Sequence, residues 1–318
     1  MVHNKLFLNV KLFLFTVIVL ISNTGCVTVN YKEPIASFQS SINTSGTAIG
    51  TYFSNLNAFE RQVYIDGIAL DANQEIFAEI SGSPTPLKGQ KFSASSIKAR
   101  MDAITLLGVY AQRLSDLAGS NAPQQFSSSM STLGDNLKTL DNTFSTVLPK
   151  SDPTAANYVG PISQLIGSIG KMYLEHQQEV AIREAIDKGA PQVLSIIDLL
   201  EKDLLIVKDA ETTGTDQILA TKVAYYNKQR KTMSLEARTA FLAEIQDAST
   251  ANSAAIALNP SNLTQSMRQT MNALVKYADS PKTPQNFSDL MSSLQTFNQN
   301  AQEISSEVQN IFQIKKGK

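Results

Sequence analysis

From Phe38 to the C-terminal end of the chain, apolar residues recur at alternating steps of three and four. That spacing places them along one stripe of an α-helix and is the heptad rule of packed helices. The first such seam reads Phe38, Ile42, Ser45, Ile49, Tyr52, Leu56, Phe59, Val63. Pro34 can open this helix, and the pattern carries it to about Ile80. Its first half is diluted by Ser, Thr, Gly46 and Gly50, so it packs either closely or weakly.

Breakers divide the rest. Ser81-Gly82-Ser83-Pro84-Thr85-Pro86 stops the first helix. A second runs from about Ser93 to Gly119, with Ile97, Met101, Ile104, Leu107, Tyr110, Leu114 and Leu117 in its stripe. Ala122-Pro123 starts a third through Phe126, Met130, Leu133, Leu137, Leu140, Phe144 and Val147. Asp152-Pro153 caps a fourth, which carries Ile162, Leu165, Ile169, Tyr173, His176 and Val180. Gly189-Ala190-Pro191 breaks or kinks it. The fifth follows Val193, Ile197, Leu200, Leu204, Val207, Glu211, Gly214, Ile218, Thr221 and Tyr225. Its register survives Thr212-Thr213-Gly214, which reads as one long helix with a soft middle, a loop at 212–216 being the alternative. Ser234 caps a sixth through Phe241, Ile245 and Ala248. Asn259-Pro260 leads into a seventh with Met267, Met271 and Leu274. Ser280-Pro281 leads into an eighth with Phe287, Leu290, Leu294, Phe297, Ala301, Ile304, Val308 and Ile311. The expected fold is all-α: an elongated antiparallel bundle of about eight helices over 34–318, several of them long, packed near +20°. No fixed repeat suggests a solenoid.

Ahead of this body stands a different kind of segment. Lys5 and Lys11 precede Leu12–Ile21, ten residues that are apolar except for Thr16. A span needs about 20 residues, so this run is too short to cross a bilayer and fits the apolar core of a secretory signal. Ser22-Asn23-Thr24-Gly25-Cys26 follows. Small residues and a Gly directly before a Cys, just past a short apolar run, resemble a bacterial lipoprotein precursor, although Asn23 stands where that family usually has an aliphatic residue. The resemblance covers residues 1–26. It implies cleavage between Gly25 and Cys26, removal of 1–25, and a diacylated or triacylated Cys26 that tethers the body to a membrane. Val27 rather than Asp follows Cys26, which by the same resemblance implies sorting to the outer membrane, with the body in the periplasm or at the surface. Two or more acyl chains make such a tether stable. Residues 27–33 read as a short leash, so that 26–33 forms the lipidated Cys and its spacer.

Cys26 is the single cysteine of 318 residues, so the chain can form no intramolecular disulfide. Without residues 1–25 the chain has 25 basic and 28 acidic residues. This near-neutral balance argues against nucleic-acid binding, which wants a basic stripe. Lys315, Lys316 and Lys318 read as a solvated tail.

Chemistry is sparse. His176 is the one histidine after the signal, in His176-Gln177-Gln178-Glu179. His176 and Glu179 are one helical turn apart and are the weak metal candidates. An H-x-x-E element also occurs in imelysin-like periplasmic proteins. The Gly common two residues before that His is Leu174 here, and the four-residue match reads as chance. Zinc sites usually need three or four protein ligands, and here the others would all be carboxylates. Glu175, Glu179 and Glu184 read instead as partners of Lys171 and Arg183. No G-x-S-x-G elbow, phosphate-binding loop or dinucleotide fingerprint is present. Glu201, Asp203 and Asp209 read as the wet face of the fifth helix. The stretch Val193–Val207 is the most apolar after the signal, but Asp198, Glu201, Lys202 and Asp203 interrupt it, which argues against a pore-forming segment. Tyr225 and Tyr226 read as core and rim residues. Asn43-Thr44-Ser45 matches a glycosylation acceptor, without meaning in a bacterial lipoprotein. The expectation is a non-enzymatic protein with no catalytic residue and no cofactor: an envelope interaction or scaffold module with a protein partner. The alternative is a small-ligand or metal-binding protein with an inter-helix pocket near His176.

Overall fold

The structure, a computed structural model, describes residues 31–70, 94–119, 160–161, 164–165 and 178–316. These residues are all-helical, with no strand among them. The helices are α1 (Lys32–Leu70), α2 (Ala94–Ala118), α3 (Gln178–Gln229), α4 (Leu235–Ala257), α5 (Pro260–Asp279) and α6 (Pro284–Lys316). The expected third helix, the end of the first (71–80) and most of the fourth lie outside the described residues.

The seams read from sequence become the core. In α1 every seam residue from Phe38 to Phe59 is buried, and only Val63 is partly open. In α6 the buried line is Leu290, Leu294, Phe297, Ala301, Ile304 and Val308. The diluted half of α1 packs closely: Gly46 and Gly50 admit the side chains of Ile104 and Met101 from α2. Helix α1 begins at Lys32, ahead of Pro34, and Tyr31 is already buried against Tyr277. The end of the expected leash, 31–33, is therefore part of the folded body.

Two expected helices prove to be one. α3 runs unbroken for 52 residues, about 78 Å, through Gly189-Ala190-Pro191 and through 212–216. Pro191 lacks the N–H that would bond the Asp187 carbonyl. It stands on the exposed face, where water can take that carbonyl instead, and the Ser195 hydroxyl donates to the Pro191 carbonyl at 2.9 Å. The buried line Ile182, Ile186, Ala190, Val193, Ile197 passes straight across the proline. Val180, placed in the seam from sequence, is exposed instead. Gly189 is a contact point rather than a breaker: a Cβ there would stand 2.5 Å from the Tyr110 ring. Gly214 plays the same part for Phe59 of α1, at 2.6 Å.

α3 is the spine on which the others are arranged. α2 runs against it, with Tyr110 donating to the Ala185 carbonyl at one end and Arg100 meeting Asp203 at the other. α1 runs alongside in the same direction, with Tyr52 beside Glu211 and Phe59 on Gly214. α4 and α5 both run against α3, one after the other: Lys222 meets Glu244, Thr215 meets Asn252, Asp198 meets Arg268, and Arg183 meets Asp279. Only Leu258 and Asn259 separate these two helices, too few for a reversal, so α5 continues the descent that α4 begins. Pro260 takes the first turn of α5, where its missing N–H is harmless. α6 turns back along α5, with the Thr270 hydroxyl on the Ser293 carbonyl and the Asn300 amide on the Asn262 carbonyl.

Candidate functional site

The upper part of α3 and the first half of α4 form a two-helix arm. Between residues 216 and 247 no residue is buried, whereas α3 below Thr215 is buried on several sides. A polar clamp marks where the arm leaves the core. The Thr215 hydroxyl lies 2.9 Å from Asn252 Oδ1, and Asn252 Nδ2 donates to Asp216 at 3.0 Å. Above it the two helices are held by Phe241, which lies 5.4 Å from the Tyr225 ring and 6.2 Å from Tyr226. Lys222 pairs with Glu244 at 2.8 Å and sits 5.6 Å over the Phe241 ring. At the turn, Ser234 accepts from the Ala237 amide at 3.1 Å, the N-cap expected from sequence.

α4 exposes apolar side chains along its length. Leu235 is 72% exposed, Leu242 46% and Ile256 56%. Their spacing of seven and fourteen residues puts all three on one exposed side of α4, with Ser249 at the heptad position between Leu242 and Ile256. An exposed apolar line at heptad spacing is the chemistry of a helix that accepts another helix.

At the opposite end of α3 lies a polar cluster. Arg183 pairs with Asp279 at 2.8 Å and lies 3.7 Å from Asp187. Lys282 donates to the carbonyls of Tyr277, Ala278 and Ser280, closing the end of α5, and stands 5.5 and 5.1 Å over the rings of Tyr31 and Tyr277. Burial, then the nearby Asp279 carboxylate, raises the Asp187 pKa above its ordinary value. Burial lowers that of Lys282 and pushes the Tyr31 hydroxyl well up. Tyr31 Oη and Asp187 Oδ1 are buried without a hydrogen-bond partner among the described residues.

Of the residues singled out from sequence, Gly25, Cys26 and His176 lie outside the described residues, as do Lys171 and Glu175. Glu179 is exposed in the first turn of α3. Arg183 pairs across to α5, while Glu184 pairs with Lys188 on its own helix. Glu201 meets Arg268 at 2.8 Å, and Asp209 is exposed. Asp203 departs from its expected place on the wet face. It is fully buried and receives Arg100 through two bonds, 2.7 and 3.1 Å, from Nε and Nη2. Arg100 Nη1 also donates to Ser96, and its guanidinium lies 5.9 Å from the Phe53 ring. The reason is that α3 is packed by α1, α2 and α5 together, so its buried stripe is wider than one heptad seam. Arg100 itself was not legible, although it borders the Ile97–Met101–Ile104 stripe. Glu211 is likewise buried, and with burial it raises the pKa of the Tyr52 hydroxyl beside it.

Among the described residues no three of His, Cys, Asp or Glu are grouped closely enough to hold a metal ion. No described helix is long and apolar enough to cross a membrane. No family model, curated protein or solved structure matches the chain.

Proposed function

We propose that this chain is a membrane-anchored lipoprotein of the cell envelope whose helical body is a non-catalytic interaction module. In this reading Cys26 carries the acyl chains after cleavage behind Gly25, and the anchor sits in the outer membrane. The body is an elongated helical bundle arranged along the spine of α3. Leu235, Leu242 and Ile256 supply the observation that carries the reading: they give α4 exposed apolar side chains along one side that no described helix covers. A partner helix laid along α4 would bury it in the knobs-into-holes manner.

The test is crosslinking in cells, followed by mild detergent extraction and mass spectrometry. One stoichiometric protein partner is expected with the wild-type chain. It should disappear from a chain carrying Leu242→Asp and Ile256→Asp, with intact-mass analysis of the same sample reporting acylation at Cys26. A lipidated chain that is extracted alone counts against the interaction reading, and an unmodified Cys26 counts against the anchor.

One observation favours a second reading, a small-ligand or metal site between helices. The buried, unpartnered Tyr31 Oη and Asp187 Oδ1 lie at the end of α3 that follows directly on His176. Metal content of the purified chain, compared with His176→Ala, tests it: a metal held by the wild type and lost from the variant would support this reading over the first.

A further inference from the structure

We propose that the tip of the arm docks onto a membrane surface bearing anionic phospholipid. The tip is the turn from the end of α3 into the start of α4. Within residues 228–238 it carries Lys228, Arg230, Lys231 and Arg238 against one acid, Glu236. None of the four cations is ion-paired among the described residues, and Arg230 donates only to the side chain of Asn227, 2.7 Å away. The next cation down the arm, Lys222, is by contrast neutralised by Glu244. Leu235, the most exposed large apolar side chain described, stands beside the exposed Lys228, Arg230 and Lys231, with Met233 next to it and Arg238 half-buried one turn further on.

Shape separates a lipid surface from a folded acidic partner. Lys228, Arg230 and Lys231 are neighbours at a helix end and turn, so their side chains spread to different sides of the tip. Cations ringing an apolar protrusion on a convex end match an interface of anionic headgroups over acyl chains. A protein groove would instead want the charges on one face. The tip is also remote from Tyr31: Arg183, beside the Tyr31 cluster, and Gln229 are 46 residues apart on one helix, about 70 Å. A chain held near Tyr31 therefore offers this tip to a surface well away from its tether. The inference goes beyond the helical partner proposed for α4 and stands whether or not Cys26 is acylated.

The experiment uses the full purified chain, immobilised through a C-terminal tag, and measures capture of vesicles of phosphatidylcholine alone or mixed with phosphatidylglycerol. Capture of the phosphatidylglycerol vesicles is expected, falling as salt is raised. The combined variant Lys228→Glu, Arg230→Glu, Lys231→Glu should lower it by about a hundredfold. Leu235→Ser should weaken it, while Arg230→Lys should bind as the wild type does. Any contribution from an acylated or apolar N-terminus appears equally on neutral vesicles and in every variant, and helical circular dichroism checks that the variants are folded. The proposal is overturned if charge reversal leaves capture of the anionic vesicles unchanged, or if the tip captures an acidic protein but not vesicles. Leu235 belongs to both surfaces, but the charge-reversed variant leaves Leu235, Leu242 and Ile256 untouched, so its failure leaves the interaction reading standing, and the reverse also holds.

Discussion

Arg100 and Asp203 form a buried ion pair between α2 and α3. Two buried opposite charges owe their tolerance to each other, and removing one leaves the other desolvated and unpaired. Asp203→Ala should therefore lower stability by about 3–5 kcal/mol in urea unfolding, whereas Arg100→Met with Asp203→Leu should recover most of that loss. If the double variant is as unstable as the single one, the pair is not the source of the effect. Asp187 carries a charge effect of opposite sense. Its folded pKa is raised, so the folded state holds its proton more tightly than the unfolded chain does. The stability this confers is present below the ordinary carboxylate pKa and is lost as pH rises through the raised value. Asp187→Asn should accordingly be more stable than the wild type at neutral pH, with the two unfolding midpoints converging in acid. A gap that widens in acid would contradict this. Neither site was visible in the sequence. Periodicity assigns a residue to a seam, but it cannot say how many helices crowd around that seam, and Asp203 is buried because α3 has several neighbours.

At the scale of elements, most of the architecture was legible. The seams of α1, α5 and α6 lie where their spacing puts them, because burial between packed helices selects every third or fourth residue, whereas in α2 Ile97 and Met101 sit at the border of a stripe that also buries Ala99, Ala103 and Leu106. Of the two readings of Gly189-Ala190-Pro191, a break or a kink, the break is excluded, since α3 runs through it. Gly and Pro together read as punctuation, yet here each has another role: Gly189 makes room for Tyr110, and Pro191 faces solvent. Pro191→Ala should restore the missing amide and raise stability by about 1–3 kcal/mol. Gly189→Val should do the opposite, since its side chain would overlap the Tyr110 ring. Unfolding midpoints of the two variants that move in the same direction would refute this account. The arm was also hidden, for the opposite reason. Ile218, Thr221 and Tyr225 continue the α3 register beyond Gly214, but among the described residues they meet fewer neighbours than the seam below does, and none of them is fully buried. A heptad pattern records that a helix has a neighbour, not whether it has one or four.

For the whole molecule, this produces two regions of different stability on one continuous spine. Below the Thr215–Asn252 clamp the helices share a common core. Above it, among the described residues, the arm is held by aromatic contacts among Tyr225, Tyr226 and Phe241, the Lys222–Glu244 ion pair and the Ser234 N-cap. Amides of 220–245 should exchange with solvent faster than those of 190–207, through local opening well below the global unfolding free energy. Equal protection in the two regions would mean that something further holds the arm.

Above the reach of α1, the hairpin of α3 and α4 is also free to vary in length. Each heptad removed from α3 between the clamp and the turn, together with one from α4, would shorten the reach by about 10 Å while returning every remaining side chain to its original face. The core beneath would keep its contacts, since it buries nothing from residues 216–247. The hairpin thus works as a ruler graduated in sevens: the distance between tip and base can be reset by paired insertions or deletions without redesigning anything at either end.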